Sequence, residues 1–128
     1  SMITWWTCQH DQQGLLSIDC KFDIEHIYAR NRVKNEPLED EWNAELLGNK
    51  TLLEQRINIR ASDYRFTDKA KYYKGLQGGK GEKSPTLISE LLAMAKEKNE
   101  FTETDILHRN ETIIQGFIAY LDRNELLK

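Results

Sequence analysis

The residues best suited to do chemistry are gathered around one dipeptide. A carboxylate and an imidazole stand side by side in FDIEHIY, as Glu25 and His26. Asn49 follows in LLGNKTLL, and Asn58 lies nine positions later in QRINIRAS. Hydrolysis of a phosphodiester needs such a set: a base for water, a divalent cation for the charge that builds on phosphate, and a frame that holds both. His26 suits the base, because imidazole titrates near neutral pH. Glu25 points to the opposite face of an ideal strand, so a metal ligand and a base need not compete if the strand ends there. Asn58, on a following helix, offers a neutral oxygen to a hard cation. One carboxylate, one amide and several waters suit Mg²⁺, which keeps much of its hydration. Asn49 is better placed to bond the loop backbone and fix the strand of His26. The plain alternative is that Glu-His is a common dipeptide, that Asn favours turns and caps, and that a single His on an apolar strand face is usually a hydrogen-bonded core residue.

The elements that must position these residues follow from pattern. Ile3 to Gln9 reads as a strand or as the end of a helix, and DQQG as a turn. From Leu15 to Ile27 the chain reads as extended, with Ile18, Cys20, Phe22 and Ile24 alternating with charged residues, which places His26 on the apolar face. Residues 31–40 read as a loop around Pro37. Leu38 to Leu47 reads as a short helix with Trp42 and Leu46 on one face, ended by Gly48. Thr51 to Leu53 is a strand, and Gln55 to Tyr64 a helix with Ile57 and Ala61 inward. Thr67 caps a helix over Asp68 to Lys74. The glycine-rich GLQGGKGEKSP reads as a flexible loop or boundary. Thr86 to Lys98 reads as a helix with Leu87, Leu91, Leu92 and Met94 inward. Thr102 and Asp105 announce a last helix, in which Ile106, Ile113, Ile114, Phe117, Ile118 and Leu121 recur at helical spacing.

The 128 residues allow one domain with one core, and no apolar run approaches a membrane span. Ser1-Met2 reads as a cloning remnant, and the abrupt Ile3 start as that of a piece from a longer protein. Cys8 and Cys20 read as reduced cytosolic thiols, too far apart in sequence for a zinc knuckle. The net charge of −3 argues mildly against a nucleic-acid binder, but residues 50–83 hold nine Lys/Arg and four Asp/Glu. A basic segment on an acidic body can still face phosphate. Arg30, Arg32, Arg56, Arg60, Lys69 and Lys71 lie close enough to the motif to serve as phosphate contacts. His10 and His108 read as surface residues.

DIEHIYARN, then LLGNKTLLEQRIN, then SDYRFTDKAKYY resembles the HNH endonucleases, the His-Me finger or ββα-metal group. More narrowly, it resembles the C-terminal HNH domain of GmrSD-like type IV restriction enzymes. The resemblance is strongest from Phe22 to Tyr73, and the final helix, with Ile106 and Arg109, loosely fits that family's tail. It implies His26 as general base, Asn49 as the residue that orients the loop, and Glu25 and Asn58 as ligands of Mg²⁺ or Mn²⁺. Lys50, YARN and Ser62-Asp63 depart from the family's pattern, and Asp63 would alter metal or phosphate contacts. The resemblance implies DNA as substrate, a bacterial cytoplasmic defence role against foreign or modified DNA, and a missing N-terminal nucleotide-using or ParB-like domain. The expected fold is α+β and mostly helical, one domain over residues 3–128, with a ββα-metal core over about 18–75 and a helical part over about 86–127. The rivals are a catalytically silent HNH-like module that binds DNA or docks domains, and a helical interaction domain with His26 in its core.

Overall fold

The computed structural model describes residues 1–10, 13–16, 20–75 and 83–124. Helix α1 spans Met2–Gln9, strands β1 and β2 span Phe22–His26 and Lys50–Glu54, and helices α2 to α5 span Gln55–Ala61, Phe66–Tyr73, Ser89–Glu97 and Glu103–Arg123. Three 3-10 turns, Arg30–Lys34, Glu41–Glu45 and Leu47–Asn49, fill the long connection between the strands. The architecture is α+β and mostly helical. The two strands pair antiparallel with His26 opposite Lys50 and Glu25 opposite Thr51, and β2 runs straight into α2. That is a ββα unit, with the Glu25-His26 dipeptide at the end of the hairpin where the long connection leaves.

Local chemistry explains the helices. Ser1 caps α1 through its side chain, and Ile3 and Thr7, one turn apart, face inward, which settles the ambiguous start as helix. In α2, Ile57 and Ala61 are buried as their spacing predicts. That helix ends at Ala61 rather than Tyr64, because Ser62 turns to φ 47°. Thr102 and Asp105 close a capping box on α5, whose inward stripe is Ile106, Arg109 and Ile113. Ile114 and Ile118, expected to pack, are exposed. Phe66, Tyr73, Leu91, Phe101, Ile106 and Ile113 join Ile27, Leu53 and Ile57 in the core.

Other expectations are corrected. The strand is five residues rather than thirteen; residues 17–19, Ile18 among them, lie outside the described residues. Its faces are inverted: Ile24 is 44 % exposed while Glu25 is 3 % exposed. The inward face can be the charged one because α3 supplies polar partners for Glu25. The segment from Leu38 to Leu47 forms 3-10 turns instead of an α-helix, and Trp42 is 77 % exposed. A stretch confined between Pro37 and Gly48 is too short to repay helix nucleation. Instead Asp40 caps its own turn, and Glu103 on α5 accepts from the Glu39 and Asp40 amides and from the Asn43 side chain. Thr67 lies inside α3, its hydroxyl on the Asn99 carbonyl, and Arg65 stands at the cap. Helix α4 begins at Ser89, so Leu87 is exposed; its amide is bonded to Glu54. Most of the glycine-rich stretch lies outside the described residues. Among those described, no helix is long and apolar enough to cross a membrane, and Cys8 and Cys20 are unpaired.

Candidate active site

His26 ends β1, where the hairpin opens and the first 3-10 turn begins. Its ring is half-buried. Arg30 Nε donates to Nε2 at 3.2 Å, and Glu45 Oε2 lies 3.5 Å from the same atom. Burial lowers the His26 pKa most, and the Arg30 guanidinium lowers it further; Glu45 opposes both without reversing them. The imidazole is therefore neutral near pH 7, with an Nε2 lone pair able to take a proton. Glu45 is held below the usual carboxylate range by His26 and Arg30, against its own partial burial, so it stays charged beside the ring. Arg30 is mostly exposed and can leave Nε2 without unfolding anything.

The main chain that carries His26 is fixed by Asn49, which is fully buried. Its carbonyl accepts from the Ile27 amide at 2.9 Å. Its side-chain oxygen accepts from the Tyr28 amide at 2.7 Å, and its side-chain nitrogen donates to the Tyr28 and Ala44 carbonyls, each at 2.9 Å. The amide thus closes the chain that follows His26 onto the turn before β2.

That turn is itself clamped. Arg109 Nη1 donates to the Leu47, Gly48 and Lys50 carbonyls at 3.2, 3.0 and 2.7 Å. Its other nitrogens meet both oxygens of Glu90 on α4, at 3.0 and 2.9 Å. Trp6 Nε1 donates to Glu90 as well. Gly48 permits the approach: a Cβ there would fall 2.0 Å from the Ile106 carbonyl oxygen and 2.6 Å from the Asn110 nitrogen.

On the inward face of β1 lie two carboxylates with different surroundings. Glu25 Oε2 accepts from Lys69 Nζ at 3.0 Å and from the Tyr73 hydroxyl at 2.7 Å. Lys69 also donates to the His26 carbonyl at 2.9 Å. Burial raises the Glu25 pKa and lowers that of Lys69, and their mutual attraction offsets part of each shift. Asp23, two residues back, is only partly buried, and its Oδ2 accepts from Asn58 Nδ2 on α2 at 3.2 Å. Among the described residues no cluster of His, Cys, Asp and Glu forms a ready metal site; Asp23 and Asn58 meet at a partly exposed edge. At Glu25 a divalent cation would share a carboxylate with a buried ammonium.

The predicted residues therefore divide. His26 and Asn49 come together, while Glu25 and Asn58 bond to different side chains, Lys69 and Tyr73 for one and Asp23 for the other. Of the basic residues, Arg30, Arg56 and Lys71 are exposed and Arg60 partly so. Arg32 is tied to Glu36 and sits 4.3 Å over the Tyr28 ring. Lys69 is 1 % exposed and lies in the interior instead of facing solvent. Asp23, Glu45, Tyr73 and Glu90 were not singled out from the sequence. Asp23 was legible as the residue two before Glu25; the others are distant in the chain. Of the two remaining histidines, His10 lies 3.1 Å from the Ser89 hydroxyl, and His108 is exposed.

The family model described as GmrSD restriction endonucleases, C-terminal domain, matches residues 3–115. The chain belongs to that family. The match to the GmrSD C-terminal domain takes in α1 from Ile3, the hairpin, α2 to α4 and α5 through Gln115, the Arg109 clamp included. No curated protein and no solved structure matches the chain.

Proposed function

We propose that this GmrSD C-terminal domain is an HNH-type DNA endonuclease that depends on Mg²⁺ or Mn²⁺. The observation that carries the reading is the place of the His26 imidazole: it ends the first strand of a ββα hairpin with Arg30 and Glu45 at its Nε2, and the chain after it is locked by Asn49. His26 takes a proton from water at Nε2. Glu45, 3.5 Å away, then stabilises the imidazolium that forms. Arg30 must first leave Nε2, and a substrate phosphate is the natural group to draw it off. A divalent cation would be held by Asn58 and a carboxylate of β1, Glu25 or Asp23, and when bound would stabilise charge on the phosphate and the departing oxygen. Arg30, Arg56, Arg60 and Lys71 would contact the DNA backbone. The family's description supports a restriction setting, in the cytoplasm, with an N-terminal domain of the same protein as partner.

The test is cleavage of supercoiled plasmid with Mg²⁺ or Mn²⁺, with an EDTA control. His26→Ala should lower the rate by about 10²–10⁴-fold. Undiminished cleavage by a folded His26→Ala protein sinks the assignment. One observation favours a second reading, a silent DNA-binding module: Glu25 is already engaged by Lys69 and Tyr73. Such a module binds DNA without cutting it under any metal.

A further inference from the structure

We infer that Tyr64 and Tyr72 form a platform for an unpaired nucleobase, so that the DNA this domain engages is single-stranded where it crosses the corner between α2 and α3. This rests on the reading of the domain as one that acts on DNA, and it names the form of strand taken there. Helix α2 stops at Ala61, Ser62 turns the chain at φ 47°, and Tyr64 comes to lie beside Tyr72 of α3. The two rings are stacked, with centroids 6.0 Å apart and planes 22° from parallel. Tyr72 is half-buried and leans on the core, so it backs Tyr64. Tyr64 is 46 % exposed, and its ring borders a hollow of about 260 Å³ lined by Tyr64, Asp68, Lys71 and Tyr72. Rings held this way at a surface offer a ready face on which a base can stack. Bases inside a duplex have both faces covered by their neighbours, so only an unpaired one can use it.

Charge selects nucleic acid over an apolar peptide as the occupant. Residues 55–74 hold six Lys/Arg and two Asp/Glu, in a chain of net charge −3. Of the six, only Lys69 is buried. Lys71, in the wall of the hollow, is mostly exposed and meets Asp68 at 3.4 Å, a surface pair that a phosphate can part. Arg65, next to Tyr64, is mostly exposed, with Glu36 as its partner. The corner is also joined to the candidate active site. Arg30, on His26 Nε2, is followed by Asn31, whose side-chain nitrogen donates to Asp63 Oδ2 at 3.3 Å. A second hollow, of about 440 Å³, has Asn31, Asp63, Tyr64 and Arg65 among its walls. A strand with a phosphate at His26 thus has a continuous surface to follow toward Tyr64.

Fluorescence anisotropy of end-labelled DNA with the full chain tests this, at low salt and with EDTA present to prevent cutting. Three probes of equal length are compared: a single strand of thymidine, a single strand of abasic residues with the same phosphates, and a duplex. Wild type should bind the thymidine strand about fivefold or more tightly than the abasic one. A Tyr64→Leu protein, shown by circular dichroism to be folded, should lose that difference and bind both strands alike. Tyr64→Trp should keep it. Equal binding of the two single strands by wild type overturns the inference, as does a folded Tyr64→Leu protein that keeps the difference. Tighter binding of the duplex than of the thymidine strand overturns the assignment to unpaired DNA. Failure to bind any of the three overturns it as well and leaves the tyrosines to a protein partner. Plasmid cleavage judges the nuclease reading separately. Wild type that cuts no plasmid yet prefers the thymidine strand to the abasic one overturns the nuclease reading and leaves the platform standing. Wild type that cuts plasmid while binding the two strands alike overturns the platform alone.

Discussion

Asn49 and Tyr28 exchange a reciprocal pair of hydrogen bonds: the Tyr28 amide donates to the Asn49 side-chain oxygen at 2.7 Å, and the Asn49 side-chain nitrogen returns one to the Tyr28 carbonyl at 2.9 Å. Two residues that close a ring this way hold the backbone between His26 and the first 3-10 turn at one setting. Asn49→Ala strands the Tyr28 amide and carbonyl and the Ala44 carbonyl among buried residues. The cost should be about 2–4 kcal/mol, read from urea denaturation. Asn49→Asp should be no milder, because it puts a carboxylate against two carbonyl oxygens. A loss well under 1 kcal/mol for Asn49→Ala would mean that water enters and satisfies these groups.

The Glu90–Arg109 pair should dominate the packing of α5. Arg109→Met leaves Glu90 without its main partner and frees three backbone carbonyls, and should cost about 3–5 kcal/mol. The double variant Glu90→Gln/Arg109→Met should cost less than Arg109→Met alone, since no buried charge is left unpaired. Burial pushes the Glu90 carboxyl up, but the bonds and charge of Arg109 outweigh it, so its pKa falls below the ordinary 4.5. Its contribution is therefore present above pH 4.5 and lost as pH falls through the lower folded value. Acid unfolding should be shallower in Glu90→Gln than in wild type. Parallel acid curves for the two proteins would refute this.

The pH dependence of cleavage should carry the signature of His26. Desolvation and Arg30 place its pKa in the free protein below the ordinary 6.5, so kcat/KM should rise on an acid limb below pH 6.5 and level off above it. Glu45→Gln removes the carboxylate that holds the value up and should move the limb lower. Arg30→Met should move it higher. The same shift makes neutral His26 stabilising: that contribution is complete above 6.5 and lost as pH falls from there toward the folded pKa. An acid limb above pH 6.5 in wild type would count against His26 as the base.

Gly48→Ala should pry α5 from the Asn49 turn. The added methyl would meet the Ile106 carbonyl and the Asn110 nitrogen, both backbone atoms, and neither can step aside as a side-chain tip would. A loss of about 1–3 kcal/mol is expected from thermal or urea unfolding, with cleavage reduced in step. A variant as stable as wild type would show that the helix can retreat without cost.

Sequence periodicity made the second strand, α2 and the start of α5 legible, because each is set by local signals: Leu52 and Leu53 beside a helix stripe of Ile57 and Ala61, and a Thr102–Asp105 box. Period two misled at β1, where Ile24 looked inward and Glu25 outward. A carboxylate turns inward only when a partner waits there, and Lys69 stands 44 positions away. Asn49 was expected to bond loop backbone, but which backbone was not readable: its partners Ile27 and Tyr28 lie more than 20 positions away. The place of Lys69 was not readable either: surface lysines and core lysines have one letter.

The Arg109 grip on the turn before β2 also sets an order of events during synthesis. Residues 22–61, which hold His26, Asn49 and Asn58, leave the ribosome before residue 109 exists. Until α5 arrives, the carbonyls at Leu47, Gly48 and Lys50 have no guanidinium, and the Asn49 turn has no lid of backbone from Ile106. The nascent hairpin is thus an incomplete tool. The turn that locks the chain after His26 is therefore clamped only once the last helix has been made.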